Sequence, residues 1–201
     1  GAGMVRSMQP RRVTELVQHH LPTVVAGAGR VQALVLGSGW GERPDGAATI
    51  EGALAAGAAL VVDADGLRHV PRGLGADPDR LLLTPHAGEL ARLLGVERSA
   101  VEADPVTHAQ QAADQFGATV VLKGASQYVA RPGERQVSLA VPGPAWTAQA
   151  GSGDVLAGIC GTLLAAGLSA HDAALAAASV QAMTAARLDG PYPADEVARH
   201  L

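Results

Sequence analysis

Short aliphatic runs alternate with longer stretches of helical period along most of this chain. Residues 31–36 read as a buried strand, ended by Gly37, Gly39 and Gly41. Residues 45–57 read as a helix, and residues 58–62 as a second apolar strand ending in Asp63 and Asp65. Residues 80–83 form a third strand, stopped by Thr84-Pro85, and residues 89–94 and 105–116 have helical patterns. Residues 119–122 are another buried strand, closed by Lys123-Gly124. Residues 127–140 hold Arg131-Pro132-Gly133-Glu134 between two short strand-like pieces, a hairpin signal. Beyond Pro142-Gly143-Pro144, residues 154–166 and 171–188 read as helices. Strands that are continuously apolar, and interleaved with helices, predict an α/β fold with a mostly parallel sheet and helices on both faces. Ligands of such sheets gather beyond the carboxyl ends of the strands. The polar and glycine-rich signals fall at those ends, which predicts an active-site edge.

Composition sharpens this picture. The 201 residues are 48% hydrophobic but only 2% aromatic, so the core must be built from Ala, Val and Leu. Small side chains let helices and strands approach closely, which suits layered α/β architecture better than an aromatic-rich sandwich. A charged fraction of 17% with ample aliphatic content excludes a disordered chain. The net charge of −4 gives no reason to expect a nucleic-acid partner. A single cysteine, Cys160, excludes an internal disulfide framework and reads as a small core hydrophobe. The first residues lack the layout of a signal peptide. The longest uncharged apolar run, residues 155–170, is shorter than the ~20 residues of a membrane span. No stretch looks like a linker, so residues 1–201 are expected to form a single domain of a cytoplasmic protein with no membrane partner.

The strongest local signal for chemistry is Ala150-Gly151-Ser152-Gly153-Asp154, leading into an apolar helix. Glycines that open a helix leave backbone N–H groups free and admit a ligand closely, and the helix dipole favours an anion there. Asp154 then has two readings: a cap for its own helix, or a base that takes the proton of a hydroxyl attacking phosphorus. Lys123-Gly124-Ala125-Ser126-Gln127 offers a cation and backbone donors to phosphate oxygens, or a lysine that snorkels into solvent. In Thr84-Pro85-His86-Ala87-Gly88-Glu89, His86 is either a ligand contact or turn filling, and Glu89 either functional or a favourable charge at a helix start. Asp63 and Asp65 suit a metal or plain turn chemistry. No Cys/His cluster supports zinc, and no metal ligand is assigned. Gly37-Ser38-Gly39-Trp40-Gly41 lacks the full dinucleotide fingerprint.

Taken in order, Gly37-Ser38-Gly39-Trp40-Gly41, Asp63-Ala64-Asp65-Gly66-Leu67, Thr84-Pro85-His86-Ala87-Gly88-Glu89, Lys123-Gly124-Ala125 and Gly151-Ser152-Gly153-Asp154 resemble the ADP-dependent NAD(P)H-hydrate dehydratase family. The resemblance implies a ribokinase-like fold and a substrate that is a nicotinamide cofactor hydrated on its reduced ring. It implies Asp154 as general base, with Gly151, Ser152 and Gly153 holding nucleotide phosphates. Lys123, Gly124, Ala125, Ser126 and Gln127 would lie along ADP or AMP, and Gly39, Gly41 and His86, with Asp154, would meet the hydrated cofactor. The implied course is phosphorylation of the ring hydroxyl, then elimination of phosphate driven by the ring nitrogen's electrons, with Mg2+ offsetting the nucleotide's charge. The products would be NAD(P)H, AMP and phosphate. A small-molecule (vitamin-precursor) kinase and a catalytically impaired nucleotide-binding fragment are the alternative readings. Assembly as a homo-oligomer, with a tetramer as the suggested size, is also expected.

The chain departs from the family pattern in three places. Ser38-Gly39-Trp40 replaces Pro-Gly-Leu, and the bulky Trp40 is expected to reshape the substrate side. Ser126-Gln127 replaces Gly-Thr. Gly1-Ala2-Gly3-Met4-Val5 aligns with a segment inside the family domain, so the domain is expected to be N-terminally incomplete, with an apolar sheet edge and poor activity on its own.

Overall fold

A computed structural model describes residues 2–201. Its framework is a six-stranded sheet of β3 (Ala33–Leu36), β4 (Ala59–Val62), β5 (Leu81–Leu83), β6 (Thr119–Leu122), β7 (Tyr128–Ala130) and β8 (Ser138–Leu139), in that spatial order. The first four strands are parallel, with Leu34 beside Leu60 and Leu60 beside Leu81. β7 then runs antiparallel to β6, and β8 antiparallel to β7, giving the expected hairpin with Tyr128 opposite Leu139. A separate parallel pair, β1 (Arg6–Ser7) and β2 (Val25–Ala26), flanks α1 (Arg11–His20).

Helices cover both faces, and the side-chain alternation along each strand decides which. Leu60 and Val62 of β4 join Leu81, Leu83 and Val120 under α2 (Gly46–Ala55), α3 (Ala87–Leu94), α4 (Arg98–Ala103) and α5 (Pro105–Phe116). Ala59 and Val61 point the other way, with Leu82 and Val121, against α6 (Ser152–Ala165) and α7 (Ala170–Ala186). A strand buried on both sides has no polar face to show, hence the unbroken apolar runs. α7 presents Ala173, Ala174, Ala177 and Ala178 to the sheet, all fully buried, so the small side chains permit the close approach anticipated from composition. The short helix α8 (Ala194–Arg199) follows. β3 is the edge strand of Ala, Leu, Val and Leu, and Val35 is 44% exposed there. No helix among the described residues is long and apolar enough to cross a membrane.

Cys160 on α6 is buried in the second cluster, as the sequence suggests for a core residue. Burial, reinforced by the negative charge of Asp63, pushes its thiol up to about 12. The thiolate is the reactive form, so at pH 8 the population available to an electrophile is on the order of one in ten thousand. Native protein should therefore leave a disulfide reagent such as DTNB unreacted over hours, with one equivalent released only on adding denaturant. Prompt release from folded protein would show Cys160 to be accessible.

Candidate active site

Four neighbouring strand ends deliver the polar groups to one edge. Gly37 leaves β3 at φ +117°, and a Cβ there would run into the carbonyl oxygen of Asp63. Only glycine lets the first loop pass this close to the second. The loop then turns, with Trp40 N–H donating to Gly37 O (3.1 Å), and Gly39 and Gly41 also take left-handed conformations. β4 ends in Asp63, followed by Ala64 at φ +49°. That left-handed residue costs about 1–2 kcal/mol relative to ordinary backbone, and it lies between two carboxylates with different partners. Asp63, only 2% exposed, accepts from Lys123 Nζ (2.6 Å). Asp65 accepts from Gly41 N–H (2.8 Å) and from Arg68, which hold its carboxyl below the usual carboxylate range. Both carboxylates thus have partners in neighbouring loops or strands, beyond what plain turn chemistry requires.

Lys123 does not snorkel into solvent. It ends β6, where its N–H donates to Pro85 O (2.8 Å) in a short bridge with the His86 strand, and its side chain is only 17% exposed. The lysine and Asp63 stand two strands apart in the sheet and meet over the end of β5. A Cβ placed on Gly153 would lie 3.2 Å from Lys123 Nζ and 3.7 Å from Asp63 Oδ2. The ion pair is thus packed against the first turn of α6, and glycine at position 153 leaves that space open.

α6 begins from Gly151 at φ +86°, and no side chain caps it. Ser152 N–H donates to Gln149 O (3.2 Å) and Val155 N–H to Gly151 O (3.0 Å). The N–H groups of Gly153 and Asp154 between them have no acceptor among the described residues. Gln181, 7% exposed, secures the turn from behind by donating to Ser152 O (2.9 Å). Asp154 therefore does not serve as its own helix's cap. Its Oδ1 instead accepts from Ser38 Oγ (2.7 Å) across the gap to the β3 loop, and the residue stays exposed. The turn combines a positive helix end, two unclaimed donors and a nearby ammonium.

The other expected site residues are arranged around this centre. His86 is the N-cap of α3: its Nδ1 accepts from Gly88 N–H (3.0 Å) and Glu89 N–H (3.3 Å), while Glu89 Oε2 accepts from His86 N–H (2.8 Å). This reciprocal capping box places the ring proton on Nε2 and fixes the ring at the strand end. Gly124 and Ala125 are exposed in the β6–β7 loop, and Ser126 and Gln127 are half-buried. The side-chain oxygen of Gln127 is buried with no hydrogen-bond partner among the described residues. Trp40 packs against the α2–α5 side of the core, beside His69 and beneath the Arg43 guanidinium (4.4 Å to the ring centre).

Two participants, Ser38 and the Asp63–Lys123 pairing, escaped the sequence. Ser38 carried no signal beyond its place in a glycine-rich loop. The pairing depends on strand order, which residue spacing does not supply.

The family model for NAD(P)H-hydrate dehydratase matches residues 1–196. A Mycobacterium tuberculosis bifunctional NAD(P)H-hydrate repair enzyme is 43% identical over 185 residues, which cover 86% of this chain and 37% of the relative. A Neisseria meningitidis ADP-dependent (S)-NAD(P)H-hydrate dehydratase is 40% identical over 155 residues, 74% of this chain and 52% of the relative. The chain thus spans little more than a third of the mycobacterial relative's length and about half of the neisserial one's. A Bacillus subtilis ADP/ATP-dependent NAD(P)H-hydrate dehydratase, crystallised with ATP/Mg2+, superposes with a TM-score of 0.84 at 22% identity, over all of this chain and 77% of that one. A ribokinase-like superfamily protein of Enterococcus faecalis superposes with a TM-score of 0.79 at 20% identity, over 99% of this chain and 75% of that one, so the fold is the ribokinase-like one expected. Because that family model covers all but the last five residues, this chain belongs to the NAD(P)H-hydrate dehydratase family.

Proposed function

We propose that this chain is the dehydratase unit that restores hydrated NADH or NADPH at the expense of ADP. One observation carries the reading: Asp154 is free of any capping duty and stands, oriented by Ser38, in the helix turn whose Gly153 and Asp154 N–H groups have no acceptor among the described residues. Its Oδ2 has no protein donor among the described residues, so it is available to take the proton of the substrate's ring hydroxyl. The alcohol oxygen then attacks the β-phosphorus of ADP, and AMP leaves. The N–H groups of Gly153 and Asp154 and the ammonium of Lys123 supply donors for the phosphate oxygens during transfer. Hydroxide is a poor leaving group and phosphate a good one, so the phosphorylated ring carbon loses phosphate as the ring nitrogen's electrons push in. Loss of the neighbouring carbon's proton completes NAD(P)H.

The neisserial relative's name favours ADP over ATP as co-substrate. The buried orphan oxygen of Gln127 provides an acceptor for a nucleotide donor along the β6–β7 loop. Among the described residues no group of three or more His, Cys, Asp and Glu side chains could hold a metal. Phosphate oxygens and water are themselves a donor set that suits Mg2+, so such an ion would come with the nucleotide and would neutralise phosphate charge there. The lone buried thiol suits a reducing, cytoplasmic compartment. The half-exposed Val180 and Met183 on α7 suit self-association as a homo-oligomer.

Incubation with hydrated NADH and ADP should regenerate the absorbance of NADH and release AMP and phosphate in equal amounts. A phosphorylated product that accumulates without NADH would assign a kinase instead. ADP binding with no turnover would leave only a nucleotide-binding module.

A further inference from the structure

A groove of about 580 Å³ opens between the turn at residues 64–69 and α3, on the sheet face opposite α6. Its floor is apolar, formed in part by Leu67, Leu93 and Phe116, and its walls carry Arg68, Arg72 and Arg92 against Asp65 and Glu89. The count of charges hides an imbalance, because both carboxylates are already engaged. Asp65 serves Gly41 N–H and Arg68, and Glu89 closes the capping box on His86. Arg92 is exposed and has neither an ion-pair nor a hydrogen-bond partner among the described residues. Arg72 is oriented wholly by neutral acceptors: Leu93 O (3.3 Å) and, with the amide suitably turned, the side-chain oxygen of Gln115 (2.9 Å from Nε). Two guanidinium groups therefore face one groove with no carboxylate of their own. Guanidinium is the side chain best matched to phosphate oxygens, since its fork of donors stays charged and pairs two oxygens at once.

Two residues of the groove's rim are hydrogen-bonded to residues of the proposed centre. Asp65, on its rim, holds Gly41, and Glu89, on the opposite rim, holds His86. Gly41 and His86 are, with Gly39 and Asp154, the residues expected to meet the hydrated cofactor. A substrate whose reacting ring lies against them is thus one hydrogen-bonded residue away from the groove on each side.

We propose that this groove seats the adenosine half of the dinucleotide substrate, with Arg72 and Arg92 taking its phosphate groups and the apolar floor taking its base. This rests on the functional reading above. It goes further by assigning a second subsite, which makes the enzyme select a dinucleotide over a mononucleotide.

The test is direct binding by calorimetry to the full chain with its nucleotide site saturated with ADP, using NADP+, NAD+ and nicotinamide mononucleotide as probes. The double variant Arg72→Gln/Arg92→Gln replaces exposed side chains and should keep the wild-type melting temperature. It should weaken NADP+ binding about tenfold, weaken NAD+ by less, and change the mononucleotide by no more than about twofold. The KM for hydrated NADPH should rise by the same factor as the Kd for NADP+. Equal NADP+ affinity in variant and wild type would overturn the subsite, as would an equal loss for the mononucleotide or no NADP+ binding by the wild type. Arginine-dependent NADP+ binding by a protein without dehydratase turnover would keep the groove and sink the functional reading instead.

Discussion

Asp154→Asn should lower dehydratase turnover by about a thousandfold, while the Kd for ADP stays within about threefold of wild type. Amide for carboxylate preserves shape, and Ser38 Oγ can still donate to the remaining oxygen, so the 2.7 Å contact has no reason to break. What disappears is the capacity to take a proton, and positioned general bases contribute about 10²–10⁴ in rate. A thousandfold corresponds to about 4 kcal/mol of lost transition-state stabilisation. ADP binding is spared because the donors assigned to it are the N–H groups of residues 153 and 154 and the Lys123 ammonium, none of which the substitution removes. Ser38→Ala gives the internal comparison: it removes one orienting hydrogen bond but leaves the base, so its loss should be nearer tenfold. Steady-state kinetics with hydrated NADH, beside calorimetric titration with ADP, separate the two effects. A variant that unfolds, or one that retains full turnover, would refute the assignment of Asp154 as base.

The same residues show why some of this was legible in the sequence and some was not. β4, β5 and β6 are uninterrupted apolar runs because both their faces are covered, and residues 105–116 and 119–122 fall where the pattern places them. The glycine-opened start of α6 is equally plain, since glycines before an apolar helix have few structural reasons to be there. The first 30 residues are different. β1 and β2 are two residues each, too short for a period, and although Val13, Leu16 and Val17 of α1 stand at helical spacing, Leu16 is 66% exposed and the one buried residue is the polar Thr14, so the stripe does not mark a core-facing helix. α4 and α8, at six residues each, are too short for a period to show. The antiparallel turn from β6 to β7 was within reach: five residues separate the strands, and a parallel return needs a crossover of a dozen or more. His86 shows a subtler limit. Its spacing from Glu89 fits a capping box, yet the same strand-end position also suits a ligand contact, and composition cannot choose between roles that one side chain can fill together.

Breaking the Asp63–Lys123 pair should cost more stability than deleting both of its charges. The carboxylate is 3% exposed and the lysine side chain 17% exposed, so either group left alone keeps its charge away from water. Removing one partner of a buried pair typically costs about 3–5 kcal/mol, because the survivor is neither hydrated nor neutralised, whereas replacing both by apolar residues of similar size is often neutral. Lys123→Met alone should therefore lower the unfolding free energy by about 3 kcal/mol, and Asp63→Leu alone by a similar amount. The double variant Asp63→Leu/Lys123→Met should recover most of that loss, and the non-additivity, read from urea denaturation, measures the coupling. Function should follow a different rule. The recovered double variant has no ammonium beside Gly153, so its affinity for ADP should stay as low as that of Lys123→Met although its fold is restored. Stability that is additive across the cycle would mean the pair is solvated and energetically idle. ADP affinity that returns together with stability would mean that Lys123 acts only through the fold, and the phosphate site would then reduce to the helix terminus alone.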